Sequence, residues 1–135
     1  AVCDTVGTAG TLMGIAKALK RAKSNCKVVA VEPSSSPILS KGIKGSHNVE
    51  GVGLGFVPNI YDDNLVDNVI SVDEKVARKI CKDLAKKEGI FCGTSSGMNV
   101  AAAIQISKEL GPKSKVVTVA CDTGLKYLTE GLFDD

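Results

Sequence analysis

The chain has no Trp, one His, two Tyr and three Phe among its 135 residues, so a nucleic acid would find few rings to stack against. Charge of one sign is also scarce: 17 Lys and Arg against 15 Asp and Glu leave +2, too little for a phosphate-backbone footprint. These absences exclude DNA and RNA as expected partners. No apolar run approaches the ~20 residues of a membrane helix, and no segment has the build of a signal peptide. No Cys-x-x-Cys pair occurs among Cys3, Cys26, Cys81, Cys92 and Cys121, and His47 has no second histidine, so neither a zinc site nor a disulfide framework is expected. Cys3, Cys92 and Cys121 lie in apolar segments and read as small hydrophobes, which makes a reducing cytoplasm the expected location.

What is present is ordinary globular composition, 44% hydrophobic and 24% charged, read as one domain over residues 1–135. The opening Ala1-Val2-Cys3 starts as though already inside a strand, so a piece of a longer protein is expected. Short β-branched runs alternate with amphipathic stretches, the pattern of an α/β fold with a mainly parallel sheet. Residues 1–6 and 27–31 read as strands. Between them a helix carries Leu12, Ile15 and Leu19 on one face. Residues 34–68 are rich in Ser, Gly, Pro and Asn and too long for a plain connection. Val69 to Val72 reads as another strand. Ser71 and Glu74 have capping-box spacing for a helix bearing Val76, Ile80 and Leu84 and stopping at Gly89. A further helix carries Val100, Ala101, Ala103 and Ile104, Val116 to Ala120 reads as the last strand, and residues 123–132 as a terminal turn or helix.

Three glycine-containing loops compete for the chemistry. Gly7-Thr8-Ala9-Gly10-Thr11 joins a strand to a helix, where unpaired backbone N–H groups favour phosphate. A dinucleotide reading adds Gly14 and takes Glu32 as the ribose-binding acid, although the glycine spacing departs from that fingerprint. A tight turn without a ligand is the plain alternative. Gly93-Thr94-Ser95-Ser96-Gly97 has the spacing of a hydrolase nucleophile elbow, but that chemistry needs a later histidine and none follows. Its plain alternative is a helix start capped by Ser95 or Ser96. Gly51-Val52-Gly53-Leu54-Gly55 lets the backbone pass close to a ligand or to another segment, and His47 ahead of it reads as a structural hydrogen-bonder.

Taken in order, Gly7 to Thr11, Val31-Glu32-Pro33, Ser46-His47 through Gly51-Val52-Gly53-Leu54-Gly55-Phe56-Val57-Pro58, Gly93 to Gly97 and Gly124-Leu125-Lys126-Tyr127-Leu128 resemble the C-terminal half of the cysteine synthase (O-acetylserine sulfhydrylase) and cystathionine β-synthase family. The resemblance implies a fold-type II enzyme of pyridoxal 5'-phosphate, doubly wound with helices on both faces of a mostly parallel sheet. It implies that Gly7, Thr8, Ala9, Gly10 and Thr11 hold the cofactor phosphate, Ser95 the ring nitrogen, and Gly51, Val52 and Gly53 the substrate side. Ala9 stands where the family usually has Gly, and Ala120-Cys121-Asp122 replaces a stretch that usually begins with Pro. The implied reaction makes L-cysteine from O-acetyl-L-serine and sulfide by β-elimination and replacement. A neutral serine on the ring nitrogen, as against a carboxylate, suits that reaction by leaving the ring a milder electron sink.

Two alternatives stay open: condensation of serine with homocysteine, and a non-catalytic phosphate- or cofactor-binding scaffold. A nicotinamide dehydrogenase fragment is a third. The family's Schiff-base lysine lies upstream of the matched blocks, so no catalytic residue is assigned here and the chain alone is expected to be inactive. The expected partners are a small amino-acid substrate, the missing N-terminal half and a second copy in a homodimer. No metal or membrane is expected.

Overall fold

The computed structural model describes residues 1–134. Strands β1 (Val2–Thr5), β2 (Val28–Pro33) and β3 (Asn68–Val72) form a parallel sheet in the order β1-β2-β3. Val2 pairs with Val28 and Val31 with Ile70. The period of two along these strands sorts their side chains between two cores. Val2, Val28 and Ala30 face one side, where helix α1 (Gly10–Arg21) lays down Leu12, Met13 and Ala16. Cys3, Val29, Val31, Ile70 and Val72 face the other, against Ala77 of helix α3 (Glu74–Asp83) and Met98, Ala102 and Ile106 of helix α4 (Thr94–Leu110). Helices on both faces explain why β2 is buried along its whole length. A parallel sheet flanked by helices is the architecture that the sequence implies. A short helix α2 (Ile38–Lys41) and a single 3-10 turn (Asp63–Leu65) break up the long connection, and a 3-10 helix (Gly124–Glu130) forms the C-terminal segment.

Several local expectations are corrected. The expected final strand makes only one bridge, Val117 to Val2. The reason is local: beyond it the Thr118 hydroxyl donates to the Cys3 carbonyl at 2.7 Å and the Thr5 N–H donates to Asn99 Oδ1 at 2.7 Å, so side chains take the ladder positions of β1. The capping residue of α3 is Asp73, whose carboxylate accepts from Lys75 N–H, rather than Ser71. Ser71 lies in β3, and its hydroxyl donates to Glu32. The Val76–Ile80–Leu84 row is inward only at its end: Ile80 is half-buried, and Leu84, just past α3, packs against the cluster of Cys81, Cys92, Tyr127 and Leu132. The buried residues of α3 are Ala77 and Cys81, and Val76 is 48% exposed. Small side chains are needed there because α3 crosses α4 at Gly97, where a Cβ would run into the Ala77 carbonyl oxygen and come within 2.6 Å of Cys81 Sγ.

Candidate active site

Chain direction in a parallel sheet places the loop after β1 beyond the carboxyl end of the sheet, where ligands of open α/β folds bind. That loop, residues 7–11, leads into α1. Ala9 precedes the first helical residue with a left-handed backbone (φ 69°) and makes no side-chain cap. Its left-handed turn followed by right-handed Gly10 points successive N–H groups into one concavity, a shape that binds anions. Among the described residues, the N–H groups of Thr8, Ala9, Thr11 and Leu12 have no protein acceptor, and Gly10 N–H reaches only Thr8 Oγ1 at 3.5 Å. No acidic side chain occupies the first turn of α1, so nothing internal competes for these donors.

The glycine loop closes one side. Gly51, Gly53 and Gly55 all have positive φ (77°, 58° and 78°). Gly53 N–H donates to the Val6 carbonyl at 3.1 Å, and Gly51 lies so close to Gly7 that a Cβ on Gly7 would strike its carbonyl oxygen. His47 stiffens this loop, bonding Gly53 O through Nε2 at 2.8 Å and accepting Val49 N–H on Nδ1 at 3.2 Å. It is the structural hydrogen-bonder that the sequence suggests.

Ser95 comes from the first turn of α4. Gly93 is the N-cap of α4, so neither Ser95 nor Ser96 caps the helix. Both are buried in its first turn. Ser96 Oγ accepts Cys121 N–H at 2.8 Å, and Ser95 lines a cavity of about 330 Å³. The same cavity is lined by Gly7, Thr8, Ala9, Gly10 and Thr11, and by Gly51 and Val52. Gly53, expected with them, lies outside that lining and serves the loop's own hydrogen bonding.

The cavity has further walls to which the sequence motifs assign no role. Asp4 and Thr5 form part of its lining, and so do Glu50, Cys121, Asp122, Lys126 and Tyr127. Lys126 Nζ lies 3.4 Å from Glu50 and 3.6 Å from Asp122, a pair of contacts across the mouth. Tyr127 O–H donates to Asp122 Oδ2 at 2.6 Å, and burial first, then that bond, push the tyrosine well above its ordinary range. Cys121, read as a small hydrophobe, is instead an exposed residue whose thiol accepts from Asn99 Nδ2 at 3.4 Å.

A family model for "Pyridoxal-phosphate dependent enzyme" matches residues 1–122. The chain belongs to that family. It is 45% identical over 132 residues to a cysteine synthase of Staphylococcus aureus, covering 96% of this chain and 43% of the relative. Among solved structures it is similar to a hydrogen sulfide-producing enzyme from Fusobacterium nucleatum (TM-score 0.92, 40% identity, 99% of this chain and 40% of that one). It is similar also to O-acetyl serine sulfhydrylase isoform 3 from Entamoeba histolytica (TM-score 0.90, 37% identity, 99% and 41%). The chain spans less than half the length of the curated relatives it matches.

The residues present fit the family's cofactor. The unpaired donor set at the start of α1 suits a phosphate, the cavity reaches the lower end of the size that small-molecule sites need, and Ser95 adds a neutral hydroxyl to its lining. The dinucleotide alternative loses its acid. Glu32 is 1% exposed and accepts from Leu39 N–H at 2.7 Å, Ser40 N–H at 3.2 Å, the Ser40 hydroxyl and the Ser71 hydroxyl at 3.1 Å. It is a clamp on the start of α2, with no face left for a ribose. Among the described residues no cluster of His, Cys, Asp and Glu could hold a metal ion, and no helix is long and apolar enough to cross a membrane.

Proposed function

We propose that this chain forms the cofactor-holding side of a pyridoxal-phosphate enzyme that makes L-cysteine from O-acetyl-L-serine and sulfide. The observation that carries this reading is that residues 7–11 and Ser95, 84 or more positions apart in sequence, line one cavity. The phosphate goes to the N–H groups of Thr8, Ala9, Thr11 and Leu12, with the Thr8 and Thr11 hydroxyls beside them. Ser95 offers its hydroxyl to the heterocyclic nitrogen. Gly51 and Val52 flank the substrate side, and their backbone can come close because Gly7 opposite has no side chain. When bound, the cofactor supplies an electron sink for bonds to the substrate α-carbon.

The chain's own residues bind and orient rather than move protons at that carbon. Lys126, the lysine at the cavity, is engaged by Glu50 and Asp122, so the covalent lysine is assigned to a segment outside this chain. In this reading the chain by itself binds the cofactor reversibly and does not turn over.

The test is amide NMR of the 135-residue chain titrated with pyridoxal phosphate and, separately, with pyridoxal. The phosphorylated compound is expected to shift the resonances of residues 8–12 and of Ser95 together, and pyridoxal to bind at least tenfold more weakly. Perturbation of one end without the other overturns the reading. The substrate assignment is tested in the full-length enzyme by forming L-cysteine from O-acetyl-L-serine and sulfide. Faster product formation with serine and homocysteine would replace it.

A further inference from the structure

Lys126 is the lysine that reaches the cavity, and the groups that hold it come from two parts of the chain far apart in sequence. Its Nζ lies 3.4 Å from Glu50 Oε1, next to the first residue of the glycine loop. On its own C-terminal segment it lies 3.6 Å from Asp122 Oδ2. Asp122 is the firmer end. Its side chain is 21% exposed, Oδ2 also accepts the Tyr127 O–H at 2.6 Å, and Oδ1 is buried with no hydrogen-bond partner among the described residues. Both carboxylates face one phenol: after burial, Asp122 and then Glu50 push Tyr127 up. The ammonium is set between two negative groups, 5.9 Å from the centroid of the Tyr127 ring.

The backbone on each side is anchored away from this point. Gly53 N–H donates to the Val6 carbonyl at 3.1 Å, and Gly124 N–H donates to the Phe91 carbonyl at 3.1 Å. Leu132 is 1% exposed, and the Phe133 and Phe91 rings lie 4.5 Å apart. Among the described residues no backbone hydrogen bond joins residues 49–55 to residues 121–134. The tie between them runs through Lys126. Without its ammonium, Glu50 and Asp122 would be like charges across a short gap, and their repulsion would push loop and segment apart.

We propose that Lys126 is a positioning residue, a charged clasp that ties the glycine loop to the C-terminal segment and holds the substrate-side wall of the cavity against its ligand. This rests on the cofactor reading above and deepens it: Gly51 and Val52 keep their place beside the ligand because Glu50, their neighbour in the chain, is held. A lone exposed ion pair would contribute little. Here the half-buried Asp122 and the shared Tyr127 make a network of the pair.

Hydrogen exchange in the ligand-free 135-residue chain gives the first test, read at Gly53 N–H and Gly124 N–H, one on each side of the clasp. Lys126→Gln is expected to speed both by about threefold, the scale of partly exposed ion pairs, and Lys126→Arg to leave both near the parent rate. In 1 M KCl, where screening reaches about 3 Å, both should speed in the parent and neither in Lys126→Gln. The salt measurement on the parent needs no variant, so a misfolded variant would still leave a decisive result. A change at Gly124 alone would mean that Lys126 serves only its own segment, and it overturns the clasp. Rates in the parent that salt leaves unmoved overturn it as well. The second test is release of pyridoxal phosphate from the loaded chain, followed by absorbance after dilution. Lys126→Gln should release it about threefold faster, with the resonances of residues 8–12 still shifted as in the parent. Release at the parent rate overturns the inference and spares the cofactor reading. If neither protein takes up pyridoxal phosphate, the cofactor reading falls, and with it the clasp's role toward a ligand.

Discussion

Two adjacent serines of the same chemistry do different work because a helix turns 100° per residue. Ser96 is 1% exposed and spends its oxygen on Cys121 N–H at 2.8 Å, which ties the C-terminal segment to the first turn of α4. Ser95 faces the cavity. Ser96→Ala is therefore expected to cost about 1 kcal/mol, the usual net worth of a part-buried hydrogen bond. Ser95→Ala should cost less than half as much and weaken pyridoxal phosphate binding. Urea denaturation of both variants, paired with cofactor titration, separates the two roles, and equal losses of stability would contradict them. Ala9 illustrates a near-cancellation at the same scale. A left-handed alanine is strained by about 1–2 kcal/mol, but glycine there would forfeit a buried methyl worth about 0.8 kcal/mol and add backbone entropy worth about 0.5–1 kcal/mol. That balance lets Ala stand where the resembling family usually has Gly.

At the scale of elements, glycine governs how closely segments approach. The start of α4 was legible as a motif, yet the spacing that resembles a nucleophile elbow has a packing cause: Gly97 is the point at which α3 and α4 touch. Gly97→Ala drives a Cβ into the backbone of Ala77, which cannot rotate away, so the loss should reach about 3 kcal/mol, the upper end of ordinary overpacking. A shift of the urea midpoint by less than a third of that would mean the helices slide apart freely. Strands β1, β2 and β3 and the order of glycine loops could be read from the chain because β-branched runs and strand-to-helix turns are local signals, whereas the run from Val116 to Ala120 keeps only one bridge. The inward face of α3 could not, because Val76, Ile80 and Leu84 satisfy a helical period better than Ala77 and Cys81 do, and only the crossing partner decides. Nor could Asn99: a single amide inside an apolar helix carries no periodic signal until β1, with Asp4 and Thr5, is folded against it. The one clue was Asp4, a charge inside a strand that is buried along its whole length.

The whole molecule sums opposing carboxylates into one pH profile. Glu74 is partly desolvated, which raises its pKa, but Asn48 N–H at 3.0 Å and Arg78 at 3.0 Å outweigh this and hold it below its ordinary value of 4.5. Asp83, held by Lys79 and Lys87, is likewise lowered from 3.8. A group with a depressed pKa contributes stability that is present above its unfolded value and lost as pH falls through the folded one. Asp4 has the opposite sign. Its pKa is raised from 3.8, so its contribution is complete below that value and is lost as pH rises through the folded pKa. In the cofactor-free chain these slopes place the stability maximum on the acid side of neutrality. Replacing Asp4 with Asn keeps the shape, removes the rising cost of a buried charge and should move the maximum toward neutral pH. The stability difference between Asp4→Asn and the parent should be smallest below pH 3.8 and grow in the variant's favour as pH rises. Urea midpoints measured at half-unit intervals from pH 3 to pH 8 provide the check. A parent chain that gains on the variant with rising pH would show that the fold already stabilises the charged form of Asp4 by itself.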